Sequence, residues 1–147
     1  MQKMFVANKA LIINQEGKIL LVRDSGVEKD HQAGAGSWDI PGGRMDKADK
    51  TINDALAREL QEELGVELDV LNKQIITASL WSIGGDDDRR VMAVIYIIKV
   101  NFEIPVILSA EHTEFGWFNP AVVDQETASP CLRQVLEVYQ EKKDLYA

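Results

Sequence analysis

Residues 58–66 read Arg58-Glu59-Leu60-Gln61-Glu62-Glu63-Leu64-Gly65-Val66, and this stretch decides how the rest of the chain is read. Leu56, Leu60 and Leu64 recur every fourth residue, with Ile52 beginning the row. That spacing predicts an amphipathic helix from Thr51 to Leu64 with one apolar stripe. Thr51 or Asp49 can cap its start, and Gly65 stands where a helix ends. Glu59, Glu62 and Glu63 stand at i, i+3 and i+4, so their side chains are expected to converge on a second face. Like charges at these spacings cost a helix about 0.2–0.5 kcal/mol per pair. A divalent cation reverses that sign, because hard cations prefer several carboxylate oxygens. Taken alone, the cluster reads more simply as a solvated acidic face, with Arg58 relieving Glu62 at i+4.

Outward from the helix, Pro41-Gly42-Gly43 precedes it by a short loop. Two adjacent glycines let backbone approach a ligand or metal closely, and their carbonyls can coordinate. By themselves they are a tight turn before a helix. Together, the residues resemble the Nudix box. Its usual form is Gly, five residues, Glu, seven residues, then Arg-Glu-apolar-x-Glu-Glu-x-Gly-apolar. The second half stands complete from Arg58 to Val66. The flanks resemble the family too, with Trp38-Asp39-Ile40-Pro41-Gly42-Gly43 before the box and Glu114-Phe115-Gly116-Trp117 on a late strand. The first half departs from the pattern. Counting from Gly43, the family's Glu position falls on Asp49; counting back from Arg58, it falls on Lys50. The loop therefore has one extra residue and no Glu at either place. In the family that Glu braces the box, in part by meeting the Arg. Asp49 is the residue placed to do so here, with a shorter arm.

The resemblance implies metal-dependent hydrolysis of a pyrophosphate bond in a nucleoside diphosphate linked to another moiety, by water attack at phosphorus. Glu59, Glu62 and Glu63 would hold Mg²⁺, or Mn²⁺ in its place, with the Gly42 carbonyl as a backbone ligand. Arg58 would orient the carboxylates. The family also supplies an acidic residue from a loop outside the box, and Glu111 is placed for it, as base for the attacking water. Glu59 is the other candidate base, so the expected catalytic set is Arg58, Glu59, Glu63 and Glu111. Glu114 is expected to brace the sheet, and His112 to be an exposed loop histidine. Arg23, Trp38 and Gly43 are the candidates for holding substrate. Phe5 and Trp81 could stack on a base, with core packing the plainer account. Arg89 and Arg90 could meet phosphate, with pairing to Asp86-Asp87-Asp88 inside an exposed hairpin turn the plainer account. A nucleotide-sensing module with little turnover is the alternative. The complete carboxylate set speaks for the enzyme, and the altered first half of the box for the sensor.

The remaining composition sets bounds. The chain has 147 residues, 46% of them hydrophobic and 27% charged, which suits one domain over 1–147 with a real core. Its net charge of −8 argues against general nucleic-acid binding, which needs a basic face, and is compatible with a small phosphorylated ligand screened by metal ions. The single cysteine, Cys131, excludes an internal disulfide and fits a reducing compartment. It sits near a helix start, where it reads as a small packed residue. Asn8 and Lys9 interrupt the first apolar run, so it is no signal peptide, and the run Val91 to Ile98 is too short to span a bilayer. A cytoplasmic protein is the expectation. The sequence sets no oligomeric state, and a homodimer is compatible with it. Strands are expected at Met4–Ile13, Lys18–Arg23, Trp38–Ile40, Ile75–Ile83, Val91–Val100 and Phe115–Phe118, with a loop from Asp24 to Ser37 and a last helix opening at Ser129-Pro130. Strands before, between and after two helices make the fold α/β or α+β, with one mixed sheet sandwiched between helices. The Nudix resemblance implies the same fold.

Overall fold

A strand buried on both faces reads as a nearly continuous apolar run, and the first strand of this chain does so because each face of the sheet carries a helix. The structure is a computed structural model describing residues 1–27 and 35–146, so the expected loop from Asp24 to Ser37 lies partly outside the described residues. The strands are β1 (Lys3–Ile13), β2 (Ile19–Asp24), β3 (Trp38–Asp39), β4 (Gly42–Arg44), β5 (Gln74–Ile83), β6 (Asp86–Lys99) and β7 (His112–Phe118). The helices are α1 (Ile52–Leu64) and α2 (Pro130–Lys142). The sheet runs β3-β2-β1-β6-β5, with β4 also on β1 and β7 also on β2. β1 and β6 pair in parallel from Lys3↔Arg89 to Ile13↔Lys99, and the other pairs are antiparallel, so the sheet is mixed. A parallel pair needs a long crossover, and the segment between β1 and β6 contains α1.

Alternate residues of β1 serve two cores. Ala7, Leu11 and Ile13 join Ile95, Leu132 and Leu136 under α2. Ala10 and Ile12 join Leu56, Leu60 and Leu64 under α1. Each of these buried leucines contributes about 1.5–3 kcal/mol relative to exposure.

Both helices start on a hydroxyl cap. Thr51 accepts from the Asp54 N–H at 3.0 Å, and Ser129 accepts from the Leu132 N–H at 3.0 Å. Gly65 ends α1 at φ 70°, and its N–H donates to the Gln61 carbonyl. A Cβ there would also stand 2.9 Å from that of Ile107. Ile52 does not continue the buried leucine row: it is 46% exposed.

Two more boundaries differ from expectation. The β5–β6 connection is only Gly84-Gly85, at φ 58° and 79°, with Ile83 paired to Asp86. Two glycines at positive φ make the tightest hairpin turn, so Asp86 to Arg90 extend β6 and do not form the turn. β7 begins at His112, which pairs with Asp24 across β2.

The sheet forks where the site lies. β1 and β2 pair at Ile13↔Ile19. Further along, β1 takes β4 as partner (Lys9↔Gly42, Ala7↔Arg44) while β2 takes β3 (Val22↔Asp39). Pro41 bridges the fork, its carbonyl accepting from the Ala10 N–H at 2.9 Å. At the opposite edge, the Gln134 side chain of α2 bonds both backbone groups of Leu80 on β5, at 3.2 and 3.1 Å. Among the described residues no helix is long and apolar enough to cross a membrane.

Candidate active site

Helical positions advance about 100° per residue, so Glu59 and Glu63 lie about 40° apart while Glu62 lies about 100° from Glu63. The structure follows that arithmetic and corrects the expectation that all three converge. Glu59 and Glu63 line a cavity of about 250 Å³ in the fork of the sheet. The Glu62 side chain is 57% exposed and lies with Arg58 on the outer side of the helix.

The Gly42-Gly43 backbone is pressed against the two inward carboxylates. The Gly42 N–H donates to Glu63 Oε2 at 3.0 Å. Gly42 has φ 130°, and a Cβ there would collide with the backbone of Asn8 and Lys9. A Cβ on Gly43 would stand 2.7 Å from Glu59 Oε2. The Gly42 position therefore demands glycine, whereas at Gly43 the end of the Glu59 side chain would have to give way. Burial pushes the Glu63 carboxyl well above the usual carboxylate range, against the opposing pull of the Gly42 N–H and Lys9. Burial also raises Glu59, against Arg58. Two carboxylates held against their own charge mark a place that favours added positive charge.

Arg58 gathers the outer half of the box. Its Nε and one terminal nitrogen donate to the two oxygens of Asp49 at 2.9 and 2.8 Å. Its other terminal nitrogen lies 3.1 Å from Glu59 and 3.2 Å from Glu62. The hydrogen bond from Arg58, foremost, lowers Asp49 to about 2. Asp49 thus meets the arginine in two places despite its short arm. The longer loop closes on itself: the Asp49 N–H donates to the Asp46 carbonyl and the Asp46 N–H to Asp49 Oδ2.

Glu111 and His112 both line the cavity, and both are half-buried, not exposed as expected from a loop. The end of β2 ties this segment down. The Ser25 N–H donates to the Glu111 carbonyl at 2.9 Å and the Ser25 hydroxyl to the Ala110 carbonyl at 2.8 Å.

Of the three residues expected to hold substrate, only Gly43 lines the cavity. Arg23 donates to the Gly36 carbonyl at 3.0 Å, pairs with Glu114 at 3.4 Å and stacks on Trp38. Trp38 in turn meets Phe118 edge-on, with ring centroids 4.9 Å apart. These contacts fasten β2, β3 and β7 together, with Glu114 bracing the sheet. Arg89 and Arg90 do not line the cavity, and Phe5 packs on the core under the Arg44 guanidinium. Trp81 does line it. Cys131 is buried, and burial foremost pushes its thiol up to about 12, so it is a packed residue.

Sequence reasoning missed Asp24, Asp39, Arg44 and above all Lys9, all of which line the cavity. Lys9 Nζ lies 2.5 Å from Asp39 Oδ2. Burial works against its charge, but the attraction of Asp39 foremost among its neighbours holds the ammonium above the ordinary lysine range. A lysine inside the apolar run of β1 was the available signal.

The donor set fits a hard cation. Glu59 and Glu63 offer desolvated carboxylate oxygen beside the Gly42-Gly43 backbone. Among the described residues no three Asp, Glu, His or Cys side chains already stand in a metal-holding group. Glu62, paired with Arg58, stands outside the cavity.

A model of the NUDIX domain family matches residues 5–139. The nucleoside triphosphatase NudI of Escherichia fergusonii is 28% identical over 137 residues, covering 86% of this chain and 91% of that protein. A CTP pyrophosphohydrolase of Escherichia coli is 43% identical over 61 residues, 42% of either chain. The crystal structure of a MutT protein from Methanosarcina mazei superimposes with a TM-score of 0.79 at 26% identity, over 97% of this chain and 96% of that one. The box is complete in its second half, it lines a cavity in the fork of a mixed sheet, and the family pattern runs through both; the chain belongs to the Nudix family and is a Nudix hydrolase, of the class that cuts pyrophosphate bonds in small nucleotide compounds.

Proposed function

We propose that this hydrolase cleaves the pyrophosphate of a nucleoside diphosphate linked to another moiety, using Mg²⁺ or Mn²⁺, in a cytoplasmic setting that suits its lone buried cysteine. The observation that carries the reading is the pair Glu59 and Glu63, turned into one cavity against the Gly42-Gly43 backbone. With the Gly42 carbonyl and Glu62, they are the groups that would hold the cation. Bound there, the cation would neutralise pyrophosphate charge and favour the leaving oxygen. Arg58 holds Glu59 in place and is itself anchored by Asp49. Glu111 takes the proton of the attacking water at its carboxylate, as the water oxygen bonds to phosphorus and the bridging P–O bond breaks. The names of the relatives, a nucleoside triphosphatase and a CTP pyrophosphohydrolase, support nucleotide chemistry. The missing glutamate, which favoured a sensing module, is made good by Asp49.

The test is a screen of nucleoside diphosphate derivatives and nucleoside triphosphates, with added Mg²⁺ or Mn²⁺ and scored by released products. Turnover is expected to vanish in excess chelator and to fall by about 10²–10⁴ in Glu111→Gln. Undiminished hydrolysis in chelator would overturn the metal. Wild-type turnover in Glu111→Gln would move water activation to Glu59.

A further inference from the structure

The cavity has a second end, on the side of β1 away from α1, that hydrolysis leaves unexplained. Lys9 forms its floor, 6% exposed, with its ammonium 2.5 Å from Asp39 Oδ2. Asp39 Oδ1 accepts the Ile40 N–H at 2.8 Å, which fixes the carboxylate in the fork. An ammonium carries three donors, and among the described residues Asp39 is the acceptor for one of them. Trp81 lines the same end, with Lys9 Nζ 5.7 Å from its ring centre.

Desolvating two ions is costly, and an apolar pair of the same volume is often as stable or more so. A buried ion pair that lines a ligand cavity is therefore better explained by what it binds. Phosphate does not suit it, because Asp39 stands beside the cation and repels anions. A neutral edge carrying an acceptor next to a donor suits it on both counts. The cavity, at about 250 Å³, is large enough for one nucleoside-sized group.

Building on the proposed nucleotide hydrolysis, the geometry points to a base-reading subsite: Lys9 donates to a ring carbonyl, Asp39 accepts from the neighbouring N–H, and the base plane lies against Trp81. Bases that present a ring carbonyl beside a ring N–H (guanine, uracil, thymine) are selected over adenine, and over cytosine, whose carbonyl neighbours an unprotonated ring nitrogen. A carbonyl oxygen stands out from the ring and accepts from two directions, matching the remaining donors of Lys9. Adenine offers only a recessed ring nitrogen, and leaves a buried ammonium under-satisfied.

The test compares kcat/KM for guanosine, uridine, cytidine and adenosine triphosphates in wild type, Lys9→Met and Asp39→Asn. The wild type is expected to prefer guanosine or uridine triphosphate to adenosine triphosphate by about ten- to a hundredfold. Both substitutions are expected to bring that ratio towards one. A ratio within one preparation is independent of the folded fraction, so partial misfolding of a variant leaves it readable. Calorimetric binding of the four nucleoside monophosphates gives a second readout without turnover, with the same preference in wild type and its loss in Lys9→Met. Equal use of adenosine by the wild type overturns the subsite, as does a preference unchanged in both variants. Turnover of a non-nucleoside diphosphate ester alone would overturn base reading and leave the hydrolase standing. Base preference in monophosphate binding with no turnover of any compound would do the reverse.

Discussion

Helices α1 and α2 have the same length, thirteen residues, and cover opposite faces of one sheet from the same kind of hydroxyl cap. They part company in what they bury. The buried set of α2 is Cys131, Leu132, Val135, Leu136 and Tyr139, with no charge in it. The buried set of α1 includes Glu63, beside Ala55, Leu56, Leu60 and Leu64. α2 shows what a sheet-covering helix becomes when packing alone shapes it. α1 carries an ionisable group at a place where a leucine would stabilise the fold more, which is the mark of a helix that also serves a reaction.

The sharpest way to break this comparison is to neutralise a carboxylate on each helix. Glu59→Gln on α1 is expected to lower turnover by about a hundredfold or more, the scale of losing one electrostatic group at a reacting centre. Glu137→Gln, exposed on α2, is expected to leave turnover unchanged. Steady-state kinetics on the best substrate of the screen checks both, and equal losses would erase the distinction.

The second test asks whether the helices are alike where they should be. Leu60→Ala and Leu132→Ala, both fully buried, are each expected to cost about 2–5 kcal/mol in denaturant unfolding. Turnover per folded molecule should fall only in Leu60→Ala, because Leu60 seats the stretch of α1 that carries Glu59 and Glu63 on the core.

The smallest effect concerns Asp49. Its folded value of about 2 lies below the ordinary 3.8, so its contribution is present above pH 4 or so and is lost as pH falls towards 2. Wild type should lose more stability across that window than Asp49→Asn, in urea unfolding at stepped pH. Parallel pH profiles would show that the Arg58–Asp49 contact adds nothing to the fold.

Much of α1 was legible in the sequence because its signals are local. The leucine spacing, the Thr51 cap and Gly65 each act within a turn or two, and Asp49 lies one short loop from Arg58. The split of Glu62 from Glu63 was also implicit in helical arithmetic, but a shared face was the cruder reading. Glu111 reached the cavity as the family pattern implied. Lys9 and Asp39 were not legible as a pair, since they are thirty residues apart and meet only because β4 and β3 part the two arms of the fork. Asp86 to Arg90 misled by composition: acidic and basic residues suggest a turn, yet two glycines already supply one. Arg23 and Trp38 have the chemistry of a binding site, and the contact between them is something no residue type discloses.

The clamp of Gln134 on Leu80 bears on how the molecule behaves in a crowd. β5 is an outer strand of ten residues, and bare outer strands recruit copies of themselves into continuous sheets. Near its middle, the amide of Gln134 already occupies the N–H and C=O that an incoming strand would need. One side chain from the helix above thus stands in for a neighbouring strand and interrupts the template at Leu80, which sets a physical limit on fibre-like association along that margin.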